Sequence, residues 1–147
     1  TRFGKITVDV TKAIFFPKGI YGFQQKLHFS LVNFPSEGRK DLENFNILQC
    51  LNDENIGFPV LPQGFENPLI SNEDMELMVE EVEVKKEDLE LLFLVSSQKQ
   101  SDGFFRLFLN TKAPIIIDTK LQMALQYVFT NNKYSLRTPL DATKFGS

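Results

Sequence analysis

At 147 residues, 42% of them hydrophobic and 24% charged, the chain reads as one globular domain spanning 1–147. Its net charge of −3 sets a field that repels phosphate, which argues against direct binding of nucleic acid. A single cysteine excludes an internal disulfide, and no apolar run approaches the roughly 20 residues of a membrane span.

The chain opens on "TRFGKITVDV", without the charged-then-apolar pattern of a signal segment, so a cytoplasmic protein with no membrane contact is expected. Within it, Ile6, Val8 and Val10 alternate with polar residues, the period-2 pattern of a half-buried strand. "FFPKGIYGF" follows at 15–23, a cluster of aromatic residues punctuated by one proline and two glycines. Gly19 and Gly22 are expected to supply backbone angles that other residues reach only at a cost, giving a fixed corner. Phe16 and Phe23 would anchor that corner in the core, and Ile20 and Tyr21 would lie at its tip, available to a partner.

"KLHFSLVNF" alternates again, with Leu27, Phe29 and Leu31 on one face. "FNILQCL" and "GFPVLP" read as two further strands joined by the turn-like "NDEN", with Pro59 an interruption in the second. "ISNEDMELMVEEVEV" differs in period. Ser71 with Asp74 three residues on is a capping-box pattern, and Met75, Met78, Val79 and Val82 recur at helical spacing. A short amphipathic helix near 72–82 is expected. Beyond it come "LELLFLVSS", "GFFRLFLN", "APIIID" and "LQMALQYVFT", with Asp102-Gly103 marking a two-residue hairpin turn and Pro114 the first residue of a strand. The fold class is therefore mainly all-β, a small antiparallel β-barrel or roll with one short helix.

Catalytic machinery is not legible. One histidine and one cysteine cannot make a zinc site of usual composition, and no glycine-rich phosphate loop is present, so no metal, no cofactor and no catalytic residue is expected. His28 falls at an outward strand position and Cys50 in an apolar strand, where each reads as structural. The charge is uneven. Residues 73–90 hold nine acidic residues and two lysines, a balance of −7 that leaves +4 on the rest. Glu80, Glu81 and Glu83 belong to that segment, which is either a solvated face or a patch that steers a basic partner.

Several of these stretches, in this order, resemble the FliW family of flagellar assembly factors. The similarity rests on "FGKITVD", on Phe16, Pro17, Gly19, Gly22 and Phe23, and on Leu48, Gln49, Asp53 and Phe58. It extends through Asn110, Ala113, Pro114 and Ile115 to Gln126 and Tyr134. Cys50, where a small hydroxyl residue is expected, and Pro59 depart from the pattern. The resemblance implies a β-barrel-like regulator, a monomer when free, that binds cytoplasmic flagellin. When flagellin is exported, the freed regulator binds and antagonises the RNA-binding translational repressor CsrA, relieving repression of flagellin mRNA. Two readings stand beside it: a flagellin or secretion chaperone that does not touch the repressor, and an enzyme on a barrel scaffold.

Overall fold

Nine strands and one α-helix frame the described part of the structure, a computed structural model that describes residues 12–35, 44–63 and 69–140. The strand expected at 5–10 lies outside the described residues, as does the "FGKITVD" stretch. The strands are β1 (Ile14–Phe15), β2 (His28–Asn33), β3 (Asn46–Cys50), β4 (Gly57–Pro62), β5 (Leu89–Lys99), β6 (Phe105–Leu109), β7 (Ile115–Asp118), β8 (Met123–Gln126) and β9 (Thr138–Pro139). The helix α1 runs Asn72–Val82, where its cap and apolar spacing place it.

The strands close on themselves. Their order is β4-β3-β2-β1-β8-β7-β5, and β5 pairs back onto β4 through Val60↔Leu94 and Leu61↔Phe93. β6 and β9 continue outward from the far half of β5, through Val95↔Leu109 to Lys99↔Phe105. Pairing is antiparallel throughout except at one place, where β1 meets β8 in parallel at Phe15↔Met123. The mainly antiparallel barrel expected from the sequence is thus present, with β1 and β8 running in the same direction where they meet.

One apolar cluster takes a side chain from every strand of the ring, among them Ile14, Phe29, Leu48, Val60, Leu92, Ile115 and Ala124, and so fills its interior. Phe16 and Cys50 are buried in the same cluster. A second cluster lies on the outer face of β4, β5 and β7, where Leu61, Phe93 and Ile116 meet Met78 of α1 together with Phe129 and Tyr134. Both faces of β7 are thus covered, which is why "III" is an unbroken apolar run rather than an alternation.

Three local expectations change. Pro59 does not interrupt its strand: it sits opposite Ile47, just before pairing with β5 begins at Val60, so no ladder bond depends on its missing N–H. The β5–β6 turn is one residue longer than expected. Gly103 N–H donates to Gln100 C=O (3.0 Å) and Gln100 N–H to Phe104 C=O (2.7 Å), leaving a three-residue loop with Gly103 at φ +88°. Strand β8 ends at Gln126 rather than running to Thr130: Tyr127 and Phe129 N–H still donate to Pro114 and Lys112 C=O in register, but Pro114 has no N–H to return and Lys112 N–H turns to Ser135 C=O.

Candidate partner-binding face

The corner at 15–23 is built from consecutive turns. Gly19 N–H donates to Phe16 C=O (3.0 Å) and Phe23 N–H to Ile20 C=O (2.7 Å). Gly19 has φ +65° and Gly22 φ +86°, both in the left-handed region that disfavours a side chain. The two glycines differ in their surroundings. A Cβ on Gly19 would lie 2.6 Å from Gln24 Cα, whereas a Cβ on Gly22 would meet nothing within 4 Å.

Phe16 is fully buried, edge-on to Phe29 with ring centroids 5.2 Å apart. Phe23 is not an equivalent anchor: it is partly exposed and leans edge-on against Phe58 at 5.1 Å. Ile20, expected at the tip, is 2% exposed and belongs to the ring's core. The bridge between Ile20 and Phe23 folds its side chain inward. Tyr21 is the tip residue, 65% exposed.

Gln126 holds this corner in place. Its Oε1 accepts from Tyr21 N–H (3.0 Å) and its Nε2 donates to Ala113 C=O (3.1 Å). Ala113 N–H in turn donates to Asn110 Oδ1 (2.9 Å), which shapes the turn before Pro114 and β7. Gln49 plays a like part elsewhere, its buried Nε2 donating to Ile56 C=O (3.0 Å) and standing within reach of three more carbonyls around the 51–56 turn.

Helix α1 lies beside β8 and the segment that follows it. Ser71 Oγ accepts from Asp74 N–H (3.3 Å) and donates to Asp74 Oδ2 (2.9 Å). Asp74 also accepts from Tyr134 O–H (2.5 Å) and Lys133 Nζ (3.1 Å), while Ser71 N–H donates to Tyr134 Oη (3.1 Å). The Tyr134 hydroxyl, then Lys133 and Ser71, hold the Asp74 carboxyl below the ordinary carboxylate range, and Lys133 is raised in return. At the other end Glu83 caps the helix at φ 59°, its N–H bonded to Val79 C=O (3.0 Å). Glu81 accepts from the Tyr127 hydroxyl. Burial, and then this carboxylate, push the Tyr127 phenol up to about 12.

Between these elements runs a band of three depressions. A recess of about 210 Å³ lies beside Gly19 and Tyr21, and a groove of about 390 Å³ lies between Pro17 and Lys18 on one side and Val82–Val84 on the other. They share Lys18, Leu125 and Gln126. A third depression of about 490 Å³, bordered by Leu77, Glu80, Glu81 and Tyr127, carries the band along the helix. Tyr21, Glu80, Glu81 and Glu83 each line one of these depressions, and Ile20 lines none of them. Sequence reasoning missed Leu77, 62% exposed in mid-helix, whose only signal is an apolar residue off the Met75–Met78–Val79–Val82 stripe. Glu80 and Glu83 are exposed, whereas Glu81, also exposed, is engaged by Tyr127.

His28 is exposed and stacked on Phe15 (5.2 Å), and Cys50 is buried in the core as a free thiol. Among the described residues no three histidine, cysteine or carboxylate side chains gather as a metal site would require, and no helix is long and apolar enough to cross a membrane. A closed ring of strands with a helix laid on its outside, offering an apolar and acidic band, defines a small all-β recognition domain. The chain belongs to the FliW protein family, whose pattern it matches over residues 1–140. It is 31% identical over 140 residues to the flagellar assembly factor FliW of Clostridium kluyveri, covering 93% of this chain and 90% of that one. To its counterpart in Thermotoga maritima it is 31% identical over 143 residues (93% and 88% covered), and to that of Oceanobacillus iheyensis 26% over 139 residues (95% and 90%). A crystal structure of the flagellar assembly factor FliW superimposes with a TM-score of 0.64 at 22% identity, covering 92% of this chain and 88% of that one. The family is one of flagellar assembly factors, regulatory or chaperone-like rather than enzymatic, with protein partners.

Proposed function

We propose that this chain is a single-domain, cytoplasmic partner switch of flagellar assembly. It holds flagellin before export and, when free, binds and antagonises the translational repressor CsrA, so that flagellin mRNA is translated. It works by protein contacts alone, without catalysis, cofactor, membrane or direct nucleic-acid binding, and is a monomer when free.

The observation that carries this reading is the placement of Glu80, Glu81 and Glu83 at the C-terminal end of α1. A helix presents partial negative charge at that end, so carboxylates there oppose the dipole, each by about 0.3–1 kcal/mol when exposed. No basic residue occupies the last turn to offset them. Helix stability does not explain this arrangement; attraction of a basic partner does. Bound beside an RNA site, the same charges would weaken its hold on phosphate.

The test is association kinetics of Glu80→Lys/Glu83→Lys with purified repressor at about 0.05 and 0.5 M salt, where the Debye length shrinks severalfold. Glu81 is left intact because its change would also break the bond to Tyr127. The on-rate is expected to fall about tenfold at low salt and much less at high salt, with flagellin binding little changed. Unaltered kinetics would remove the acidic face from the mechanism. Binding of flagellin by the wild type with no repressor binding would establish the chaperone reading in its place.

A further inference from the structure

The β5–β6 hairpin extends past the closed ring and shares no residue with the acidic band. On the outer side of β6, Phe104, Arg106 and Phe108 alternate to one face, opposite Gln100, Gln98 and Ser96 of β5. Phe104 is 75% exposed at the loop, and Phe105 beside it 67%. Arg137, just before β9, lies over the Phe108 ring with its guanidinium carbon 4.4 Å from the centroid, and that of Arg106 is 5.9 Å away. The Gln98 side-chain carbonyl accepts from Arg137 and fixes the guanidinium over the ring. Such stacking leaves the edge donors of a guanidinium free for a carboxylate.

Neither arginine forms an ion pair with any described residue; those present are Lys26–Asp53 and Lys133–Asp74. Lys99, paired with Phe105, alternates to the other face of the hairpin, and the one described carboxylate at the loop, Asp102, is occupied by Phe104 N–H (3.0 Å). On a chain of net charge −3 this is a cationic, aromatic surface opposite in sign to the helix face.

We propose that the outer face of the β5–β6 hairpin is a second docking surface, and that its occupant is an acidic, apolar peptide segment of a protein partner. Aromatic residues and arginines are the side chains that dominate protein interfaces, and here they are preset by stacking rather than ordered on binding. Two cations also fall short of the phosphate contacts that hold a nucleic acid at physiological salt, and the net charge opposes one. The surface is independent of the two-partner reading, since none of its residues belongs to the acidic band.

The probe is a random dodecapeptide library displayed on phage, first depleted on Arg106→Glu/Arg137→Glu and then panned on the wild-type protein. Enrichment of sequences rich in Asp and Glu with an aromatic or large aliphatic residue is expected. The best of them, made as a labelled peptide, should bind the wild type in fluorescence anisotropy and lose about tenfold in affinity on the double variant or on Phe104→Ser. Phe104 is exposed at the loop, so that second variant keeps the fold even if charge reversal does not. No enrichment, enrichment of neutral or basic peptides, equal binding by the variants, or tighter binding of an oligouridine dodecamer than of the peptide would each overturn the proposal.

Discussion

Replacing the two corner glycines one at a time by alanine separates backbone strain from collision. Both have positive φ, so each Gly→Ala change incurs the left-handed penalty of about 1–2 kcal/mol. Both also gain about 0.4–1 kcal/mol from a stiffer unfolded chain, which cancels in the comparison. What remains is Gln24: the Gly19→Ala methyl would stand 2.6 Å from its Cα and 2.8 Å from its carbonyl carbon and oxygen, all backbone atoms that cannot swing aside. Forced overpacking of this kind adds about 1–3 kcal/mol, and the Gly22→Ala methyl meets nothing. With about 2–4 °C per kcal/mol for a domain of this size, Gly19→Ala should melt about 2–12 °C below Gly22→Ala in a thermal scan followed by circular dichroism. Equal melting temperatures, or a larger loss at Gly22, would refute the view that the corner is fixed by close approach of residue 24.

Two further expectations concern titration. Asp74 is held below its ordinary range, so its contribution is present above the unfolded carboxylate value and is lost as pH falls through the folded one. Urea midpoints should therefore hold near neutrality and drop below about pH 4, and the drop should be shallower in Asp74→Asn, which starts less stable. Tyr127 is one of three tyrosines, and its phenol is pushed up to about 12. The ultraviolet titration of the folded protein should show a step there that disappears in Tyr127→Phe; a wild-type curve without it would dissociate Tyr127 from Glu81.

Much of the fold was legible because its signals are local. The Ser71 cap and the Met75–Val82 stripe placed α1, and alternation placed β2, while the apolar runs placed β3 and β4. The length of β8 was misread because Val128 and Phe129 prolong an apolar run past the point where Pro114, lacking an N–H, and Lys112, turned to Ser135, stop returning ladder bonds. Ile20 was misassigned because two flanking glycines look alike whether the residue between them points in or out; the Ile20–Phe23 bridge decides it. Of the candidate site, the acidic residues were visible as composition, but the anchoring of Tyr21 beside the groove that Glu83 lines was not. That depends on Gln126 reaching Tyr21 across more than a hundred residues of chain. The exposed Phe104 and Phe105 were likewise hidden, since "FFRLFL" has the same pattern whether or not the ring extends beneath it.

The closure of the ring also sets a schedule for the nascent chain. Phe15 pairs with Met123, so 108 further residues must be synthesised after β1 before its second neighbour exists. At about 5–20 residues per second that interval lasts roughly 5–20 s. The β2–β3–β4 meander can form meanwhile, because its partners are adjacent in sequence, but Ile14, Phe16 and Phe29 remain on the wall of an unfinished cylinder. Translation speed, as much as thermodynamic stability, therefore decides how long this phenylalanine-rich surface must be shielded by the cell's chaperones.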